Sequence, residues 1–251
     1  MSRPRLLDLF CGEGGAAAGY VAAGFEVHGV DLVHPDPEEQ TKRAPAMRRR
    51  YLASGATSFT AADATTYPLA DFDAVHGSPP CKDHTDLAAL AGGDGTGWML
   101  PHTIGRIRES GLPFVVENVD SPSTRKHMDG AAMLCGSMFG LGAQGPGFRR
   151  RGVVTRVPAW LTLKRHRLFV TSFPLMVPPC TCSGRPIGGV YGTGGGGQMT
   201  RGYKFGAAES REAMGVPWAS RDGVSQAIPP AYTCFLGGHL RAQLHVAGGA
   251  R

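Results

Sequence analysis

The stretch from Leu7 to Gly15, "LDLFCGEGG", does most to limit what this chain can become. A strand-like run ends in Asp8, Leu9 and Phe10. Gly12, Gly14 and Gly15 then lead into the small-residue run "GAAAGYVAAG". Glycine reaches left-handed backbone and lets another backbone come close, so the chain can turn tightly from strand into helix. A strand feeding straight into a helix is half of a βαβ unit and commits the chain toward a parallel sheet.

The alternation continues. "EVHGVDL", "DFDAVHGS" and "PFVVENV" read as further strands, with helix-compatible segments near "MRRRYLAS" and "MLPHTIGRIRES". The expected fold class is α/β, a mostly parallel sheet with helices on both faces. From Phe173 the chain becomes rich in Gly and Pro and poor in periodic apolar residues, then returns to helical patterns in "AAESREAMGV" and after Pro230. Three regions are expected: a core over 1–172, a small glycine-rich lobe over 173–216, and a segment over 217–251 returning to the core. No apolar run reaches the roughly 18 residues of a membrane span, and no signal sequence is evident at the start, so a cytoplasmic protein without a membrane partner is expected.

The formal charge is +6, and its distribution is uneven. No Asp or Glu occurs from Gly130 to Ala208, whereas Arg149, Arg150, Arg151, Arg156, Lys164, Arg165, Arg167, Arg185, Arg201 and Lys204 all fall there. An unneutralised field of that kind suits a polyanion such as nucleic acid. Of these, Arg149, Arg150 and Arg151 are expected on phosphates, and Arg185, Arg201 and Lys204 on base edges.

Candidate chemistry sits at strand ends. Asp31 closes the second strand, where a carboxylate can accept from ribose hydroxyls, and Asp63 follows the third, within reach of an adenine amino group. Cys81 follows Pro79 and Pro80, which lack N–H groups and stop the preceding strand, so the thiol rides on a stiffened loop. Glu117 and Asn118 end another apolar run, where burial would raise the carboxyl pKa and let Glu117 hold a proton near neutral pH.

These residues, taken in order, resemble the DNA cytosine-5 methyltransferases, in a short form of phage or bacterial type. "DLFCGEGG" is similar to the family's cofactor motif, "PPC" to its nucleophile loop and "ENV" to its glutamate motif. "LCGSMFGL" and "KRHRLF" resemble the segment before its arginine motif and that motif itself, and "GRP" and "SQAIPPAY" its closing motifs. Lys82, His84, Thr85 and Leu163 depart from the family's usual residues.

The resemblance implies a Rossmann-like S-adenosylmethionine-dependent core with a small target-recognition lobe, acting as a monomer on double-stranded DNA in a bacterial or phage-infected cell, in the manner of restriction-modification enzymes. Asp8, Phe10, Cys11, Gly12, Gly14, Gly15, Asp31, Leu32, Asp63, Ala64, Pro80 and Gln226 would line the cofactor site. Cys81 would add to C6 of a flipped-out cytosine, Glu117 would hold its N3 and amino group, Arg165 would orient its carbonyl oxygen, and Arg167 would hold base and loop geometry.

A tRNA-acting enzyme and a catalytically silent DNA-binding relative remain open alternatives, and Lys82 leaves room for an altered methyl donor. Cys180 and Cys182, with His166 or His239, lack the paired spacing usual for zinc, so no metal is expected.

Overall fold

The computed structural model describes residues 2–80, 95–145, 148–150, 153–155, 160–190 and 203–248. In β1 (Arg5–Leu9), Leu6, Leu7 and Leu9 are all fully buried, so both faces of the strand are covered, the pattern of a parallel sheet between helices. α1 (Gly15–Ala22) follows at once from Gly14, whose φ of +85° makes it the left-handed cap. β2 (Glu26–Asp31) returns beside β1. α2 (Pro37–Leu52) opens on Asp36, whose Oδ1 accepts from the Glu39 N–H at 3.0 Å, and it runs through Pro45. The helix therefore starts well before "MRRRYLAS".

β3 (Ser58–Ala61), β4 (Ala74–Gly77), α3 (Met99–Glu109), β5 (Phe114–Val119), α4 (Pro122–Arg125) and β6 (Ala132–Leu134) come next. After them lie β7 (Gly142–Gln144), β8 (Phe148–Arg150), β9 (Val153–Thr155), β10 (Trp160–Leu163) and β11 (Arg167–Thr171). β12 (Ile187–Gly189), β13 (Tyr203–Lys204), α5 (Ala207–Met214), α6 (Arg221–Gln226) and α7 (Pro230–Gly248) complete the described chain. The large sheet has seven strands in the order β3-β2-β1-β4-β5-β11-β6. β3 through β5 are parallel, and β11 runs antiparallel to both neighbours.

Strand order reverses beside β1: the chain moves outward to β3, then returns to β4 on the other side. The carboxyl ends of β1 and β4 thus flank the crevice where ligands bind in open α/β sheets. The loops there are joined directly, because the Ser78 N–H donates to Leu9 O at 3.2 Å and the Ser78 hydroxyl to Phe10 O at 3.2 Å.

A second sheet, β13-β12-β10-β7, packs on its own apolar cluster with Leu161, Leu163, Val190, Phe205, Met214 and Val216. Two of its strands, β7 and β10, precede Phe173. The chain visits this sheet before completing the large one with β11. No described helix is long and apolar enough to cross a membrane.

Candidate active site at the sheet's carboxyl edge

The turn after β1 is built around one carboxylate. Phe10 has φ +59°, the only positive value for a non-glycine among the described residues, and such strain persists only where surrounding structure enforces it. The Cys11 N–H donates to Val30 O at 3.2 Å, and the Gly12 N–H donates to Asp31 Oδ2 at 2.8 Å. Burial pushes the Asp31 carboxyl above its ordinary range, with the Gly12 N–H opposing. A Cβ at Gly12 would meet nothing within 4 Å, so this part of the turn faces open space. The other two glycines have a different task. A Cβ would stand 2.8 Å from Ser54 Oγ at Gly14 and 2.6 Å from Ile228 O at Gly15, so both are needed for packing.

The remaining residues expected around a cofactor divide in the same way. Leu32 is 43% exposed beside Asp31, Pro80 is half-buried, and Gln226 is exposed at the end of α6, whose next residues pack on Gly15. Asp63 is exposed, and its Oδ1 accepts from both the N–H and the hydroxyl of Thr65, at 2.8 and 2.7 Å, forming a turn. Ala64 is buried.

Asp8 differs from the expectation. It is fully buried in the sheet, accepts from the Tyr51 hydroxyl at 3.1 Å and is pushed up to about 8, chiefly by burial. Strand alternation points Asp8 to the same face as Leu6, where Tyr51 meets it, and Asp31 lies near enough to add to the upward shift.

Across the switch point, Glu117 and Asn118 lie inside β5 and are buried. Asn118 Nδ2 donates to Pro79 O at 3.0 Å, which fixes the loop leading into Cys81. Glu117 Oε1 lies 2.8 Å from Arg167 Nε, a close ion contact in which the N–H is not aimed at the oxygen. Among the described residues no donor is aligned on that atom. Burial holds the Glu117 carboxyl above its ordinary range, and Arg167 and Arg165 pull it back only in part. Cys81, Lys82, His84 and Thr85 lie outside the described residues, as do Arg151, Arg156, Arg201 and the side chains of Arg149 and Arg150.

Arg165 bonds mainly to backbone carbonyls of the second sheet and the C-terminal segment. It is buried, and its guanidinium donates to Ala227 O from Nε (3.0 Å) and Nη2 (2.7 Å), to Ser225 O at 2.8 Å and to Val190 O at 3.3 Å. The Tyr232 hydroxyl donates to its carbonyl oxygen at 2.7 Å. Carbonyls at the end of α6 have no partners within the helix, and the fork of Arg165 supplies them. Arg167 is therefore the arginine set against Glu117, and Arg165 is the bolt between the two sheets and the C-terminal segment.

Glu13 was not singled out by sequence reasoning. Its carboxylate accepts from the Ser220 N–H (2.6 Å) and hydroxyl (2.7 Å), and it pairs with Arg50 at 3.2 Å. Its carbonyl accepts from Trp218 Nε1 at 2.8 Å. A glutamate inside a glycine turn carries no signal of partners so distant in sequence. Cys180, Cys182 and His166 do converge, joined by Cys135, whereas His239 stacks on Phe173.

No family model and no curated protein matches the chain by sequence. Among solved structures, the Dnmt2 methyltransferase of S. pombe aligns with a TM-score of 0.57 and 12% identity, over 96% of this chain and 99% of that one. A DNA modification methyltransferase encoded within an E. coli prophage aligns with a TM-score of 0.40 and 18% identity, over 66% of this chain and 45% of its own length. The strand order, the glycine turn at the switch point and the end-to-end match to the S. pombe structure together establish a Rossmann-like α/β fold, similar to that of the S. pombe methyltransferase.

Proposed function

We propose that this chain transfers a methyl group from S-adenosylmethionine to C5 of a cytosine in double-stranded DNA. The observation that carries this reading is the meeting of β4 and β5 at the carboxyl edge. There Asn118 holds the loop entering Cys81, while a buried Glu117 beside Arg167 keeps one oxygen without an aligned donor.

A nucleoside cofactor fits the neighbouring turn. Gly12 opens onto free space, and Asp31 fixes the turn while offering a carboxylate where a ribose would lie. The cofactor's sulfonium supplies an electrophilic methyl group.

The protein's own part is to make C5 nucleophilic. The Cys81 thiolate adds to C6, which breaks the ring's conjugation and places electron density at C5. Glu117, whose carboxyl burial holds above its ordinary range, bonds N3 and the amino group and stabilises the charge that develops as sulfur attacks. Arg167 orients the base carbonyl oxygen and keeps Glu117 in place. Loss of the C5 proton and expulsion of the thiolate restore aromaticity. The target is stacked inside a duplex, so it must be flipped out, at a cost of a few kcal/mol offset by basic contacts to phosphate.

Labelled S-adenosylmethionine offered with duplex DNA and with tRNA, followed by mass spectrometry of the nucleosides, tests the reading. Methyl-5-cytosine from the duplex and covalent trapping on 5-fluorocytosine DNA, both lost in Cys81→Ser, are expected. Label found only in tRNA would overturn the substrate. Label on another ring atom would overturn the chemistry.

A further inference from the structure

Cys135, His166, Cys180 and Cys182 come from three separate parts of the chain. Cys135 follows β6 and opens a short 3₁₀ turn, His166 sits between Arg165 and Arg167, and Cys180 and Cys182 lie on the irregular segment leaving β11. Their ligand atoms all lie within 4.8 Å of one another. Cys180 Sγ is 3.3 Å from Cys182 Sγ, and His166 Nε2 is 3.6 Å from the first sulfur and 3.5 Å from the second. A tetrahedral zinc with bonds of about 2.3 Å to sulfur and about 2.0 Å to nitrogen spaces its ligand atoms by about 3.5 to 3.8 Å. The sulfurs are too far apart for a disulfide, which needs about 2.05 Å.

The surroundings point the same way. His166 turns Nε2 toward the thiols, and its Nδ1 lies 3.8 Å from Asp120 Oδ2. Asp120 is itself held by Arg125 at 2.7 Å. A carboxylate behind the far nitrogen of a histidine is the usual orienting partner of a metal-bound imidazole. The C-x-C loop is also seated from behind, because the Thr181 N–H donates to the Ser137 hydroxyl at 3.1 Å. Thiols buried only for packing would have apolar neighbours, whereas these have one another and an imidazole.

We propose that Cys135, His166, Cys180 and Cys182 bind one zinc ion. Four protein ligands complete a tetrahedron and leave no position for water, so the site is structural. It fastens the irregular segment after β11 to the end of β6. It also fixes the backbone of His166, between the arginine that holds the C-terminal segment and the arginine that faces Glu117. The inference does not depend on the reaction proposed above, and its test requires no substrate.

Protein purified without chelator should contain one zinc per chain by elemental analysis. Metal-free protein refolded with cobalt should show the visible absorption of a tetrahedral cobalt thiolate. Cys180→Ser and Cys182→Ser should each lower the bound zinc at least tenfold at a fixed, limiting zinc concentration. Should these variants fail to fold, the wild type still decides: alkylation of Cys180 and Cys182 should slow at least tenfold with zinc and recover with chelator, while the exposed Cys234 reacts equally in both. Folded wild type with no bound zinc, no cobalt thiolate band and equal alkylation with and without zinc would overturn the proposal.

Discussion

From β3 through β5 the large sheet is parallel, and leucines, valines and aromatics form apolar clusters against it, densest at β1 and β4. From Cys135 to Val190 the chain instead makes short strands, three of them (β7, β10 and β12) part of the second sheet, and polar groups fasten it. Arg165 bridges carbonyls, Asp120 stands 3.8 Å behind an imidazole, and three thiols gather around that ring. The first region loses stability gradually when a methylene is removed. The second depends on a few groups whose partners are left buried and unsatisfied if one is lost. The candidate chemistry lies on the seam, with Glu117 from the first region and Arg167 from the second.

The largest effect should come from that seam. Glu117→Gln should lower methyl transfer by about 10²- to 10⁴-fold, the usual contribution of a positioned proton donor, with cofactor affinity little changed. The sign of the pH dependence follows from burial, which raises the carboxyl pKa. The protonated form persists to higher pH than in an exposed glutamate, so the wild-type rate should fall as pH rises through that raised value. The Gln variant should lack this limb. A pH profile of single-turnover rates checks both statements.

Arg165→Ala tests the polar region directly. It strands the carbonyls of Val190, Ser225 and Ala227, at a cost on the order of 3 to 5 kcal/mol. Hydrogen exchange should open the small sheet and 217–230 while β1 through β5 stay protected. Uniform loss of protection would mean that the two regions are one cooperative unit.

Asp31→Ala should weaken S-adenosylmethionine binding about tenfold, read by calorimetry, because the turn loses the acceptor of Gly12 and the ligand loses a carboxylate. The smallest effects separate two neighbouring glycines. Gly15→Ala drives a methyl toward Ile228 O and should cost about 1 to 3 kcal/mol of stability. Gly12→Ala meets only the backbone penalty of its positive φ, about 1 kcal/mol. Denaturant melts of the pair measure the difference.

The parallel region was largely legible in the sequence because its signals are local. Apolar runs of strand length, glycines at a turn and Asp31 at a strand end each declare themselves within a few residues. Even there "MRRRYLAS" marks only the second half of α2, which starts at Pro37 on the Asp36 cap and runs through Pro45. The seam was half legible. "ENV" marked Glu117, and the two arginines were found together, but nothing in "KRHR" says that the first faces carbonyls and the second a carboxylate. Of the thiol cluster, Cys180, Cys182 and His166 could be named from the sequence, but C-x-C alone lacks the spacing of a metal site, and nothing links Cys135 to them from so far along the chain. Convergence of that kind is a property of topology.

The turn that would cradle the cofactor is closed by residues made long after it. Ser220 reaches Glu13 across 207 positions of sequence, Thr233 donates to Ala16 O across 217, and α7 crosses α1 where Gly19 lets Pro230 come close. On the ribosome, β1 and its glycine turn leave the exit tunnel with none of these partners yet synthesised, and loop closure over such separations is slow. The nascent chain therefore cannot hold its ligand turn in working shape until α7 has emerged.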